Sequence, residues 1–168
     1  MKIELKSLKI NLTFSEETTM FKANIYVNGK KVGYAENDGR GGSTNIQPFD
    51  KQCSDILNKA NEYCKALPSI EYGSMKIDMD LEHFIDNIVN DEANKKEDEK
   101  YVKQLNRNCE KGICFGSENK YSIIKWKIPI CEMINHNKGK TILSMKLKEL
   151  VANGMTILNK NIPEELYK

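Results

Sequence analysis

Long hydrophobic runs are missing from this 168-residue chain. No stretch approaches the ~18–20 apolar residues that a membrane-spanning helix needs, so no membrane partner is expected. Histidine is scarce, with His83 and His136 the only two. Neither has beside it a serine or cysteine motif of the kind used in nucleophilic catalysis. His83 reads as a partly exposed helix residue beside Phe84, and His136 lies in a polar Asn-His-Asn-Lys-Gly turn. The five cysteines are an odd number. They fit reduced thiols in a cytosol better than a disulfide framework. A complete P-loop is absent as well. Lys138-Gly139-Lys140-Thr141 resembles its tail, but the glycine required five positions before Gly139 is Ile134, so this segment reads as a turn before a helix. There is no internal repeat.

What is present describes a globular chain. Hydrophobic residues make up 39% and charged residues 30%. A chain of this size buries roughly 70% of its unfolded surface and needs neither disulfide nor metal to fold. We expect residues 1–168 to form a single α+β domain, with no cofactor. The start, Met1-Lys2-Ile3-Glu4-Leu5-Lys6, alternates charged and apolar residues. It reads as a strand and not as a signal peptide, and a cytosolic location is the expectation. The net charge of +2 is unevenly placed: residues 80–100 carry −5 and residues 101–168 carry +6. Either these are ordinary solvated faces, or they are two patches for different partners.

Alternation organises the N-terminal part. Ile3 and Leu5 are in one phase; Leu8, Ile10, Leu12 and Phe14 are in the other. A slip near Lys6-Ser7 therefore predicts a β-bulge. Phe21, Ala23, Ile25 and Val27 alternate again and lead into Asn28-Gly29, a type I′ turn signal. A two-residue loop pairs Val27 with Lys30, Ile25 with Val32, Ala23 with Tyr34 and Phe21 with Glu36. That register puts Phe21, Ala23, Ile25, Val32 and Tyr34 on one buried face of a three-stranded antiparallel meander. Helical spacing follows over 50–67, through Cys53, Ile56, Leu57, Ala60, Cys64 and Leu67. A second helix begins after Asp80, with Leu81, Phe84, Ile85, Ile88 and Val89 as its stripe. Residues 90–100 are charged and lack that stripe, so they are either an exposed helical extension or a mobile linker. The remainder reads as strand 113–116, turn 117–120, strand 121–128, a helix near 141–153, and a short strand 155–158. The fold class is α+β: an N-terminal β-meander packed with helices, then a strand-hairpin-helix-strand portion.

Three groups of residues could carry chemistry. Asp38-Gly39-Arg40-Gly41-Gly42-Ser43-Thr44 is a glycine-rich loop at a strand end, read as flexible. Successive glycines can turn N–H groups toward one anion, and Arg40 adds a fixed charge. Asp38, Arg40, Lys30 and Lys31 are the candidate contacts with a protein partner or a phosphate backbone. In the second group, Tyr121, Ile123, Lys125 and Lys127 share one face of a hairpin, and Ile124, Trp126 and Ile128 share the core face. Lys125 and Lys127 are thus candidates for RNA contact, or simply guard a strand edge. The third group, Cys109, Cys114, Cys131 and His136, has zinc-type donors at wide spacing. Thiols packed as small hydrophobes are the plainer reading, and no metal is expected. The carboxylates of 91–99 form no catalytic dyad.

The segment Tyr26-Val27-Asn28-Gly29-Lys30-Lys31-Val32-Gly33-Tyr34-Ala35-Glu36-Asn37-Asp38-Gly39-Arg40-Gly41-Gly42, with Gly154-Met155-Thr156-Ile157-Leu158-Asn159, resembles small proteins carried by phages and other mobile elements of bacteria. The resemblance brings no catalytic motif. It implies a non-enzymatic inhibitor of host defence, anti-CRISPR-like, acting in the host cytosol on a host protein or ribonucleoprotein. An RNA-guided, RNA-targeting effector is the implied target. Two other classes stay open: a small RNA- or DNA-binding accessory protein, and an enzyme with a novel site using Arg40 and His136.

Overall fold

The computed structural model describes residues 1–72, 75–117 and 120–167. The chain is α+β and divides into two compact units, Met1–Lys96 and Glu97–Lys168. Among the described residues, no helix is long and apolar enough to cross a membrane.

In the first unit, β1 (Ile3–Ile10), β2 (Phe21–Val27), β3 (Lys30–Asn37) and β4 (Asn45–Pro48) form an antiparallel meander in chain order. This is one strand more than expected. Asn28 and Gly29 take φ values of 49° and 83°, the left-handed pair that a type I′ hairpin turn requires. The bulge in β1 falls where the alternation slips: the register shifts between Lys6 and Lys9, and Ser7 has φ 54°.

The β2–β3 register corrects the sequence reading. Val27 pairs with Lys30 as expected, but Ile25 pairs with Gly33, Ala23 with Ala35 and Phe21 with Asn37. Val32 is the extra residue of a second bulge, and it is fully buried. Beyond it the phase of β3 is reversed. Ala35 and Asn37 turn inward, and Tyr34 turns outward. There its ring lies 5.4 Å from Lys22 Nζ and 6.5 Å from the ring of Phe49. Gly33 is needed at this point, because a Cβ there would lie 2.3 Å from the Gln47 carbonyl oxygen of β4.

α1 (Lys51–Lys65) is capped by Asp50, whose Oδ1 accepts from Cys53 N at 2.7 Å. Two short strands, β5 (Ile70–Tyr72) and β6 (Met75–Ile77), pair antiparallel. α2 (Leu81–Lys111) starts behind Asp80, whose Oδ1 accepts from His83 N at 2.7 Å. It continues as helix through 90–100, so of the two readings of that segment the helical one holds. Alternate residues of β2, the Cys53, Leu57, Ala60 and Cys64 stripe of α1, and Leu81, Ile85 and Val89 of α2 close the first core.

The second unit contains β7 (Gly112–Ser117), β8 (Lys120–Lys125), α3 (Ile130–Asn135) and α4 (Asn137–Ala152). β7 and β8 pair antiparallel. Residues 118–119 of the expected turn lie outside the described residues. β8 stops at Lys125 rather than reaching 128, because its partner strand runs out: Gly112, which pairs with Lys125, is the first residue of β7, and Lys111 before it is helical. Ile128 is accordingly 51% exposed, not core. The expected strand 155–158 is a single antiparallel bridge, Phe115 to Ile157. It is flanked by Gly116 N to Thr156 O and Leu158 N to Cys114 O, each 2.9 Å. Ile113, Ile130, Met133, Leu143, Leu147, Leu150 and Ile162 form the second core. Asn159 is buried beneath it: its Oδ1 accepts from Cys114 N at 2.6 Å, and its Nδ2 donates to the Cys109 and Gly112 carbonyls.

Candidate functional site

The bulge at Val32 decides what happens at the far end of β3. It turns Asn37 inward, and Asn37 organises the loop that follows. Its Oδ1 accepts from Thr18 Oγ1 at 2.8 Å and from Gly39 N at 2.9 Å. Its Nδ2 donates to the Gly42 carbonyl at 2.8 Å and to Thr44 Oγ1 at 3.3 Å. A side-chain amide has two donors and two acceptor lone pairs, and here all four are used.

Other bonds complete the clamp. The backbone N–H groups of Glu16, Glu17 and Thr18 converge on the Gly39 carbonyl at 2.9, 3.1 and 3.4 Å. Arg40 N donates to Asp38 Oδ1 at 3.2 Å, and Gly41 N to Thr18 Oγ1 at 3.2 Å. At the loop's end, Thr44 N donates to Glu82 Oε1 at 2.8 Å, and Thr44 Oγ1 donates to Asp86 Oδ1 at 2.6 Å. Burial, helped by the nearby Glu82 charge, raises the Asp86 carboxyl above the 3.8 of an ordinary aspartate, against the lowering effect of the Thr44 hydroxyl.

Two expectations change. The loop is clamped, not flexible. The N–H groups of Gly39, Arg40 and Gly41 point at Asn37, Asp38 and Thr18 rather than at one shared point, so they form no anion cradle. What the loop presents outward is the Arg40 side chain, which makes no ion pair among the described residues. Beside it stands Phe14, 63% exposed. Phe14, Glu16, Met20, Asp38 and Arg40 line a shallow cavity of about 290 Å³.

Sequence reasoning missed Phe14 by reading it as the end of an alternating strand. β1 ends at Ile10. Asn11 then caps a 3-10 turn, Leu12–Phe14, with its Oδ1 accepting from Thr13 N at 3.1 Å. The Asn11-x-Thr13 spacing was the available signal, since a short polar side chain bonding two residues ahead breaks a strand.

The other candidates are scattered. Lys30 and Lys31 sit at the opposite end of β3 from Asp38 and Arg40, a span of roughly 26 Å for its eight residues. Lys30 Nζ donates to Gln52 Oε1 at 3.2 Å, and Lys31 Nζ lies 4.9 Å from the Phe49 ring centre. Lys125 and Lys127 are exposed in the second unit. Tyr121, expected beside them as a stacking face, is already engaged. Its ring packs edge-on against Tyr101 at 5.7 Å, and its hydroxyl accepts from Asn108 Nδ2 at 2.8 Å.

Among the described residues, no group of three or more His, Cys, Asp or Glu is placed to hold a metal ion. Cys109 and Cys114 are buried, and burial raises both thiols, Cys114 to about 12. Cys131 is exposed. The Lys138-Gly139-Lys140-Thr141 segment lies in the first turns of α4. Gly139 is there for close packing, since a Cβ would lie 2.3 Å from the Met133 carbonyl of α3.

No family model, curated protein or solved structure matches the chain.

Proposed function

We propose that the chain is a non-enzymatic, mobile-element protein that binds and inhibits a host defence nucleoprotein in the host cytosol. An RNA-guided, RNA-targeting effector is the target class that its anti-CRISPR-like character implies. The observation that supports binding is the Asn37-clamped loop, which holds Arg40 next to exposed Phe14. A contact surface that is already ordered loses little conformational freedom when it docks. Arginine and aromatic side chains are also the usual energetic anchors of protein interfaces.

The test is a reconstituted effector with its guide RNA, assayed for target cleavage and for complex formation with the purified protein. Wild-type protein is expected to bind and to suppress cleavage. Arg40→Ala and Phe14→Ala are each expected to weaken binding about tenfold or more, a loss typical of interface anchors. Tight binding to naked RNA or DNA, with affinity falling steeply as salt rises, would instead favour the nucleic-acid accessory reading. Absence of any effector binding would remove the proposal.

A further inference from the structure

The corner where β8 passes into α3 and α4 leaves an apolar groove open to solvent. Its cavity is about 640 Å³. Trp126 and Met133 form its base; Ile128 and Ile142, 51% and 50% exposed, form its walls. Ile128 and Ile142 share one depression with Trp126 and Met133 instead of being scattered singly, and a contiguous apolar surface of this kind is what marks an interaction site.

The charge around the groove says what kind of occupant suits it. Residues 120–149 contain seven lysines against two acidic residues, Glu132, which also lines the groove, and Glu149, which is paired with Lys146. Lys127 and Lys138 stand on the groove's rim. α4 begins at the same rim. His136 at its N-cap makes no side-chain capping bond, and no acidic residue stands in its first turn. The partial positive charge of a helix N-terminus therefore adds to the lysines rather than being neutralised.

We propose that this groove docks an acidic amphipathic helix of a partner protein. Such a segment inserts apolar side chains at i, i+3 or i+4 and i+7 into the depression. Its flanking carboxylates then meet Lys127, Lys138 and the α4 N-terminus. The apolar base favours this occupant over a phosphate backbone, which has nothing to place against Trp126, Met133, Ile128 and Ile142. The site is distinct from the Arg40 loop and does not depend on the inhibitor reading.

Trp126 is the only tryptophan in the chain, so its emission reports on the groove directly. The probes are fluorescein-labelled 16-residue peptides with Leu, Phe or Trp at helical spacing and Glu elsewhere, titrated into the full chain; the Leu and Phe peptides are also used unlabelled for the emission reading. Controls are peptides of the same composition scrambled to remove the apolar face, and peptides with Glu changed to Lys. The acidic amphipathic peptides are expected to bind saturably and to shift Trp126 emission to shorter wavelength. Both controls are expected to bind at least tenfold more weakly. Ile142→Asp and Lys138→Glu, at two exposed positions, are each expected to weaken binding about tenfold without changing the thermal midpoint. Failure of every acidic peptide to shift Trp126 overturns the proposal. So does equal binding by the scrambled peptides, or an emission shift only with anionic lipid vesicles, with RNA, or on self-association at high protein concentration.

Discussion

Asn37 carries more of the candidate site than any charged residue does. Its amide satisfies Thr18, Gly39, Gly42 and Thr44 at once. Alanine there leaves two donors, the Thr18 hydroxyl and the Gly39 N–H, and two acceptors, the Gly42 carbonyl and Thr44 Oγ1, without this partner, which costs about 1–3 kcal/mol. Urea unfolding of Asn37→Ala should show a loss of that size, and limited proteolysis should cut within 38–44 where the wild type resists. Asp86 gives a pH prediction. Because its folded carboxyl holds a proton more tightly than the unfolded one, its contribution to stability is present in acid and is lost as pH rises through and above the ordinary aspartate range. A side-chain amide at this position has no such titration, and its oxygen can still accept from the Thr44 hydroxyl. Asp86→Asn should therefore gain stability relative to wild type between pH 4 and pH 7; equal urea midpoint differences at the two pH values would contradict this. At this scale the sequence reading singled out Arg40 and its loop but took the loop for a flexible one. Nothing in an isolated asparagine announces that a bulge five residues earlier will bury it.

Elements were more legible where local chemistry decides them. The Asn28-Gly29 turn, the slip at Ser7 and the Asp80 cap are all written in turn and capping residues, and all are where those residues place them. The second bulge was not legible, since alternation through Val32 and Tyr34 looks uninterrupted. Its trace was Gly33, which has no purpose in a plain strand but accommodates β4. Gly33→Ala should force β4 away from β3 and destabilise the unit by about 1–3 kcal/mol, the usual range for overpacking. Chemical denaturation measures it, and a neutral result would mean that β4 yields freely. The missed α3 and the exposed Phe14 share another cause: sequence patterns register the interior of a strand better than its end. β8 and β1 both end earlier than the alternation of apolar residues implies, β8 where its partner β7 begins at Gly112 and β1 where Asn11 caps the 3-10 turn.

Over the whole molecule, the two apolar cores draw on different parts of the chain. The first uses residues between Ile3 and Val89, the second residues between Ile113 and Tyr167. The fold class was legible because strand and helix signals occur in separate blocks. The division into two compact units was not, since no glycine- or proline-rich linker marks it and α2 runs through the boundary. Leu147 is fully buried, and its truncation to alanine should cost about 2–5 kcal/mol. Hydrogen exchange of Leu147→Ala should show lost protection in β7, β8, α3 and α4, with β1–β4 and α1 retaining theirs. Uniform loss across the chain would mean that the two cores unfold as one cooperative unit.

The distribution of thiols has a practical consequence. Four cysteines are buried, and Cys131 alone is exposed; the thiolate is the reactive form, and burial withholds it from Cys64, Cys109 and Cys114. A maleimide at neutral pH should therefore attach to one position in the native chain and to all five after denaturation, as read by intact mass. That position precedes Glu132 and Met133 of the lysine-rimmed groove. The natural sequence thus carries a single chemical handle, beside the surface where a dye or crosslinker would be most informative.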